Sequence, residues 1–364
     1  MPAPPKTLYV AYSLDGGGAE RLLTNIILQQ NAPSRISVVS LRPGGIFRAT
    51  LENAGVAVTD LGMTKYHHAF RGVVQLAALM RARRPEVVHG WDYFSNLLAF
   101  VALHLVRLPA RIFWAAFCTD FGTQKLKLRF RAAMRLNVLL SSRVDGVIYN
   151  GVEVRDFHHG IGFHERRTVV ISNSIDADAF RHDPAMRDSM REQLGIAPDD
   201  VVVAVVARVD VMKDWPSICE AVRDLPGVVT VAVGAGTKAL PPQPGLIPLG
   251  WRDDVVSVLS AADIFLLGSA FGEGTSLAVG EAMLCGLPCI VTDVGGNGAL
   301  VGDSGIVVEP RNVNAMRQAV IDLACDRERR TTLGRLARTR AASATSRDDG
   351  VPRLHVLGLA EAGT

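Results

Sequence analysis

At 364 residues, with 48% hydrophobic and 21% charged side chains, the chain has material for about two globular cores of roughly 100–200 residues each, which excludes disorder as its organising principle. The net charge of +3 conceals a division: residues 1–172 carry 21 Lys and Arg against 11 Asp and Glu, and residues 173–364 carry 18 against 25. A basic half of +10 followed by an acidic half of −7 makes the two parts electrostatically different objects.

Met1-Pro2-Ala3-Pro4-Pro5-Lys6 contains no apolar run of the secretory kind, and strand-like residues follow at once, so a cytoplasmic protein is expected. Strand-like and helix-like segments then alternate: strand 8–12 with helix 19–29, strand 36–41 with helix 47–54, strand 86–89 with helix 95–106, and strands 111–115, 144–149 and 168–171. The apolar run at 97–106 is interrupted by His104 and is far short of the roughly 20 residues that span a bilayer, so no transmembrane helix is expected. A polar connector holding Asp176, Asp178, His182 and Asp183 leads to a short helix at 186–194. The rhythm restarts at 201–207, an apolar strand of the kind buried on both faces, and continues through strands 228–233, 246–249, 263–267, 288–292 and 305–308.

This βαβ pattern, met twice, predicts an α/β protein of two doubly wound, Rossmann-like domains facing across a cleft. Residues 1–172 would form the first of these domains and 173–345 the second. The stretch 343–350 reads as a loop, and 346–364 as a tail that packs back on the first domain.

The chemistry concentrates in Phe271-Gly272-Glu273-Gly274-Thr275-Ser276-Leu277-Ala278-Val279-Gly280-Glu281, where two carboxylates eight apart bracket a glycine- and hydroxyl-rich turn into a helix. The turn follows the strand at 263–267, and open α/β sheets bind ligands at the carboxyl ends of their strands. A helix beginning near Thr275 or Ser276 points free N–H groups forward, which favours an anion such as a diphosphate. Glu273 lies before that helix and Glu281 two turns inside it, so they should meet different parts of one elongated ligand, a sugar nucleotide. Arg208 and Lys213 follow the strand at 201–207 and can neutralise a departing diphosphate.

Gly16-Gly17-Gly18 follows the first strand and lets backbone approach a ligand closely. Its spacing fails G-x-G-x-x-G because Arg21 takes the place of the last glycine, and no acidic residue ends the second strand, which disfavours a nicotinamide or flavin enzyme. Five cysteines, at 118, 219, 285, 289 and 325, give no paired framework and suit a reducing compartment. Cys285 and Cys289 read as buried thiols, His67-His68 and His158-His159 as surface loops, and no metal site is expected.

Taken together these motifs resemble the retaining glycosyltransferases of family 4, with the GT-B fold, over nearly the whole chain. Gly17-Gly18-Ala19-Glu20-Arg21 matches the family's amino-terminal pattern, and Asn173-Ser174-Ile175-Asp176-Ala177-Asp178-Ala179-Phe180 its interdomain pattern. Arg208 and Lys213 match its basic pair. Glu273, Glu281-Ala282-Met283-Leu284-Cys285-Gly286-Leu287-Pro288 and Thr292-Asp293-Val294-Gly295-Gly296 match its paired-glutamate region.

The resemblance implies a hexosyltransferase that uses a nucleoside diphosphate sugar, UDP-linked before GDP-linked, and a glycan or lipid-linked acceptor, in cell-surface polysaccharide or glycolipid synthesis. It implies a catalytic group of Arg208, Lys213 and Glu273. The donor nucleotide would be held by Gly17, Gly18, Arg208, Lys213, Thr275, Ser276, Leu277 and Glu281, with Glu281 on the ribose and Glu273 on the sugar. It further implies same-face attack with retention, no covalent carboxylate nucleophile, and neither metal nor cofactor.

Two departures stand out: residues 114–120 hold no histidine where many relatives have one, leaving Thr119, Asp120 or His89 for the acceptor side, and Gly274-Thr275-Ser276 replaces a frequent Gly-Phe-Pro. Lys125-Leu126-Lys127-Leu128-Arg129-Phe130-Arg131, with Arg135 and Arg143, suits peripheral contact with anionic lipid at the inner face of the membrane; a plain basic surface accounts for it equally. No nucleic-acid partner is expected. A UDP-sugar epimerase or hydrolase of the same fold, and a catalytically silent binding subunit, are the alternative readings.

Overall fold

The computed structural model describes residues 4–30, 32–64, 68–119, 128–171 and 175–345. These divide into two compact units, one from the chain up to Phe117 with residues 128–171, the other from Cys118, Thr119 and the chain from Ile175 onward. Asp120, His67, Lys125, Lys127, Asn173 and the tail 346–364 lie outside the described residues.

The first unit holds seven parallel strands, β1 (Thr7–Ala11), β2 (Ile36–Ser40), β3 (Ala57–Asp60), β4 (Val87–Gly90), β5 (Arg111–Ala116), β6 (Gly146–Tyr149) and β7 (Thr168–Val170), in the order β3-β2-β1-β4-β5-β6-β7. Its helices are α1 (Gly18–Gln29), α2 (Phe47–Asn53), α3 (Ala69–Arg83), α4 (Tyr93–Val106), α5 (Leu128–Leu140) and α6 (Val152–Gly160). The edge strand β3 has no apolar run to announce it, since all four residues are exposed or half-buried; it forms by pairing Ser37–Ser40 with Ala57–Asp60.

His158 departs from the surface position expected of it. Adjacent residues on α6 are turned about 100° from each other, and His158 is the one that faces in, fully buried, bonded to Tyr93 Oη at 2.8 Å and to the Val154 carbonyl at 2.7 Å. Burial pushes its pKa down to about 4.

The second unit holds β8 (Val201–Val206), β9 (Val228–Val233), β10 (Leu246–Gly250), β11 (Ile264–Leu267), β12 (Cys289–Thr292) and β13 (Gly305–Val308), all parallel, in the order β10-β9-β8-β11-β12-β13. The helices are α7 (Pro184–Leu194), α8 (Trp215–Ala221), α9 (Val255–Ala261), α10 (Leu277–Leu284), α11 (Asn297–Val301), α12 (Val313–Cys325) and α13 (Arg327–Thr345). The last of these carries residues 343–345 as helix where a loop was expected. β8 is Val-Val-Val-Ala-Val-Val with its four central residues buried, as β-branched side chains between two strands and two helical layers should be.

α7 shows how locally written signals fix an element. Asp183 caps it by accepting from the Ala185 and Met186 amides at 2.8 and 3.1 Å, Pro184 opens it, and Gly195 closes it at φ 63°. Arg187 and Arg191 then reach Asp263, at the amino end of β11, at 2.8 and 2.7 Å, and the same carboxylate accepts from the Val202 amide at 2.8 Å. Among the described residues no helix is long and apolar enough to cross a membrane.

Candidate functional site

In each sheet the strand order reverses once, between β1 and β4 in the first unit and between β8 and β11 in the second. A crevice opens at such a point because the chain leaves the two neighbouring strands in opposite directions. The residues singled out from sequence fall on those two points. Gly17 and Gly18 follow β1, Arg208 and Lys213 follow β8, and Glu273 follows β11.

In the second unit the loops after β8 and β11 are tied to each other. Asp210 organises the first by accepting from the Met212 and Lys213 amides at 2.9 and 3.2 Å and by pairing with Arg208 Nε. Trp215 Nε1 donates to the Arg208 carbonyl at 3.0 Å, and the Ala270 amide donates to the Met212 carbonyl at 2.7 Å, which joins the loops. Across that join Lys213 Nζ forms an ion pair with Glu273 Oε1, to which Ser269 Oγ also donates. Lys213 and Glu273, sixty residues apart, are therefore brought together in a part-buried, water-poor place where charge interactions are strong. Arg208 stands at the rim, its side chain 47% exposed.

The turn from Glu273 into α10 is packed from behind by the loop after β12. Gly295 sits there at φ +62°, and a Cβ on it would come within 2.3 Å of the Glu273 carbonyl, so only glycine allows the approach. The Gly296 amide donates to the Gly274 carbonyl at 2.8 Å. Gly272, at φ +77°, faces Met212, where a Cβ would meet the methyl at 2.4 Å. Thr119 closes another side: its amide donates to the Glu273 carbonyl at 3.1 Å and its hydroxyl to the same oxygen.

Ser276 and Leu277, 9% and 8% exposed, stand at the start of α10, and Thr275 beside them is half-buried. Ser276 places no side-chain cap on the helix, so its hydroxyl does not occupy the first-turn amides. One expectation gives way here. The Ser276 amide, expected to face an incoming phosphate, donates to Asn297 Oδ1 at 3.1 Å. Glu281 lies in the next turn at 1% exposure. Burial, with the Glu281 carboxylate adding to it, pushes the Cys285 thiol up to about 12; Cys289, buried beside it, is raised too.

The first unit presents a different arrangement. Gly17 precedes α1 at φ −104°, a value open to any residue, so its backbone conformation alone does not demand glycine. Asp92, after β4, accepts from the Tyr12 amide beyond β1 at 2.8 Å and from the Phe94 and Ser95 amides at 2.9 and 3.0 Å, bracing the switch point. His89 does not reach that edge. It is stacked between Tyr9 and Phe113 at 4.8 and 5.4 Å, 3% exposed, and borders a small cavity lined by the first residues of β1, β2 and β4. Burial, with Arg111 nearby, pushes its pKa to about 3, so the acceptor-side role expected of it yields to a neutral core position. Among the described residues no cluster of His, Cys, Asp or Glu is arranged to hold a metal ion.

Ser269 and Asn297 are the members of this neighbourhood that carried no assignment from motif or charge, and Thr119, expected on the acceptor side, is bound here to the Glu273 carbonyl. Asn297 alone left a trace, an amide directly after Gly295-Gly296 at the end of a buried strand.

The family model described as Glycosyltransferase Family 4 matches residues 16–179, and that described as Glycosyl transferases group 1 matches residues 202–326. The UDP-Gal:alpha-D-GlcNAc-diphosphoundecaprenol alpha-1,3-galactosyltransferase of Escherichia coli is 30% identical over 277 residues, 71% of each chain. The chain belongs to glycosyltransferase family 4.

Another relative, the D-inositol 3-phosphate glycosyltransferase of Mycobacterium bovis BCG, is 29% identical over 348 residues, 87% of this chain and 71% of that one. The crystal structure of Anabaena Alr3699/HepE in complex with UDP and glucose shares the fold, with a TM-score of 0.81 at 21% identity over 96% of this chain and 97% of that one. The two parallel sheets are thus those of the GT-B class, and the protein is a glycosyltransferase.

Proposed function

We propose that this family 4 enzyme moves a hexose from a UDP-sugar, with GDP-sugars second, to a glycan or lipid-linked acceptor with retention of the anomeric configuration. The observation that carries the reading is the convergence, at the β8/β11 switch point, of Lys213 and Glu273 beside the uncapped start of α10. A cation, a carboxylate and a row of helix-start amides suit a ligand that is anionic at one end and rich in hydroxyls at the other. The preference for UDP is supported by the relative named for UDP-Gal and by the Anabaena protein crystallised with UDP-glucose.

In this reading the donor's diphosphate takes Lys213 as partner, and Arg208 supplies further positive charge at the rim. Glu273 then accepts from the sugar's hydroxyls and Glu281 from the ribose. As the bond from the anomeric carbon to the phosphate oxygen breaks, its electron pair goes to the diphosphate, stabilised by the cations and the Leu277 side of the helix start. The acceptor oxygen bonds the same face, and its proton passes to the leaving phosphate oxygen. Charge neutralisation by side chains needs no metal, so turnover should survive EDTA. The exposed Leu128 and Leu139 of α5, interleaved with Arg129, Arg131 and Arg135, suit docking on anionic lipid, where a lipid-linked acceptor resides.

The test is to incubate the protein with UDP- and GDP-hexoses, with and without membrane lipid extract, and to follow nucleoside diphosphate release and the anomer formed. Acceptor-dependent release with the α-anomer from an α-linked donor is expected. Release without acceptor would mark a hydrolase, and no release with any donor would remove the proposal.

A further inference from the structure

Asn297 is completely buried, and its carboxamide is oriented without ambiguity. Its oxygen lies 3.1 Å from the Ser276 amide, which can only donate, so the oxygen must face it and the NH2 group must turn away. Among the described residues that nitrogen has no hydrogen-bond partner. A buried NH2 group left unmet is costly, and such a group needs a reason to persist. The loop that carries it is pressed against the Glu273–Leu277 turn by the Gly296–Gly274 bond and by the close approach that Gly295 permits.

We infer that Asn297 is a further ligand-binding residue, whose Nδ2 donates to a phosphate oxygen of the nucleoside diphosphate at the start of α10. The chemistry selects that partner. An amide NH2 group requires an acceptor, and the neighbouring first-turn amides of α10 require acceptors as well. Several donors converging on one place fit an anionic group with many oxygens. Ser276 has a positioning part in this arrangement: its amide is spent on aiming Asn297, so the side chain replaces the main-chain donor that the sequence assigned to phosphate. The inference rests on the function proposed above.

Asn297→Asp tests it, because an aspartate keeps the shape and still accepts from the Ser276 amide while exchanging the donor for a negatively charged oxygen. Affinities of wild type and variant are measured by calorimetry for UDP and GDP, and by saturation-transfer NMR for uridine and guanosine, with thermal unfolding as a check on folding. The expected result is a ten- to hundredfold loss for the diphosphate, with the parent nucleoside changed less than twofold. An unchanged ratio of diphosphate to nucleoside affinity in the folded variant overturns the assignment. Should the aspartate variant not fold, Asn297→Ala read by the same ratio decides. Wild type binding neither diphosphate would remove the proposed function and this inference with it, whereas wild-type binding with an unchanged variant ratio removes only the role of Asn297.

Discussion

The two units share one strand order over six strands, the first adding β7 at its edge, yet polar and charged groups enter their interiors differently. The first sets aromatic and polar groups into an aliphatic core: Tyr9, His89 and Phe113 stack there, and Asn96, Asn137 and His158 are buried with side-chain hydrogen bonds. The second is aliphatic, and its β11 strand carries an ion cluster at each end. At the amino end Asp263 is gripped by Arg187 and Arg191; at the carboxyl end Glu273 holds Lys213 and Ser269. The difference teaches where charge is structural and where it is available. The Asp263 cluster is satisfied on every side by guanidinium and backbone groups, and its work is to fasten α7 to the sheet. The Lys213–Glu273 pair sits at the switch point, where sheets of this order bind ligands, and it is the pair the proposed donor would engage.

Removing the structural cluster should have the largest effect. Asp263→Ala leaves two guanidiniums facing each other in a half-buried place, and the second unit should lose about 3–5 kcal/mol. Hydrogen exchange followed by mass spectrometry should show the loss in β8 and β11 with the first unit unchanged; equal loss in both units would erase the contrast.

Acid should act on the other unit. His89 and His158 are neutral when folded and titrate near 6.5 when unfolded, so protonation favours the unfolded chain. Their contribution is complete above pH 6.5 and is lost as pH falls toward about 4 for His158 and about 3 for His89. At pH 5 this amounts to roughly 2 kcal/mol for each histidine. Exchange at pH 5 against pH 7 should therefore open the first unit before the second, and the reverse order would contradict the buried neutral assignment.

Lys213→Ala sharpens the comparison from the site. It should raise the donor KM ten- to hundredfold, about 1–3 kcal/mol, while shifting Tm less than Asp263→Ala does. A larger loss of stability than of donor affinity would make Lys213 structural like its counterparts at the amino end. Smallest of all, Cys325→Ser on the exposed surface should change stability by no more than about 0.5 kcal/mol. Alkylation at pH 8 should mark Cys325 and spare Cys285 and Cys289, whose thiols burial holds well above that pH.

Much of the fold was legible because its signals are local. The valine run of β8, the Asp183-Pro184 start of α7 and the glycine-rich turn before α10 each announce themselves within a few residues. β3 was silent because an edge strand needs no apolar run, and its pairing with β2 creates it. His158-His159 misled for the same reason that adjacent helical residues diverge: one of the two had to face inward, and nothing within the pair says which. His89 reads as a strand-end histidine, but its ring is claimed by Tyr9 and Phe113 from neighbouring strands.

The sequence alone determined the two doubly wound halves, the strand-end loops that bear function, and the chemical types offered there, since periodicity and turn residues act over short distances along the chain. Tertiary structure alone decided which of those loops meet. Parallel strands are joined by crossovers, so neighbours in a sheet are distant in sequence. The pairing of Lys213 with Glu273 and the donation of Ser276 to Asn297 therefore leave no local signature, and arise only when β8, β11 and β12 lie side by side.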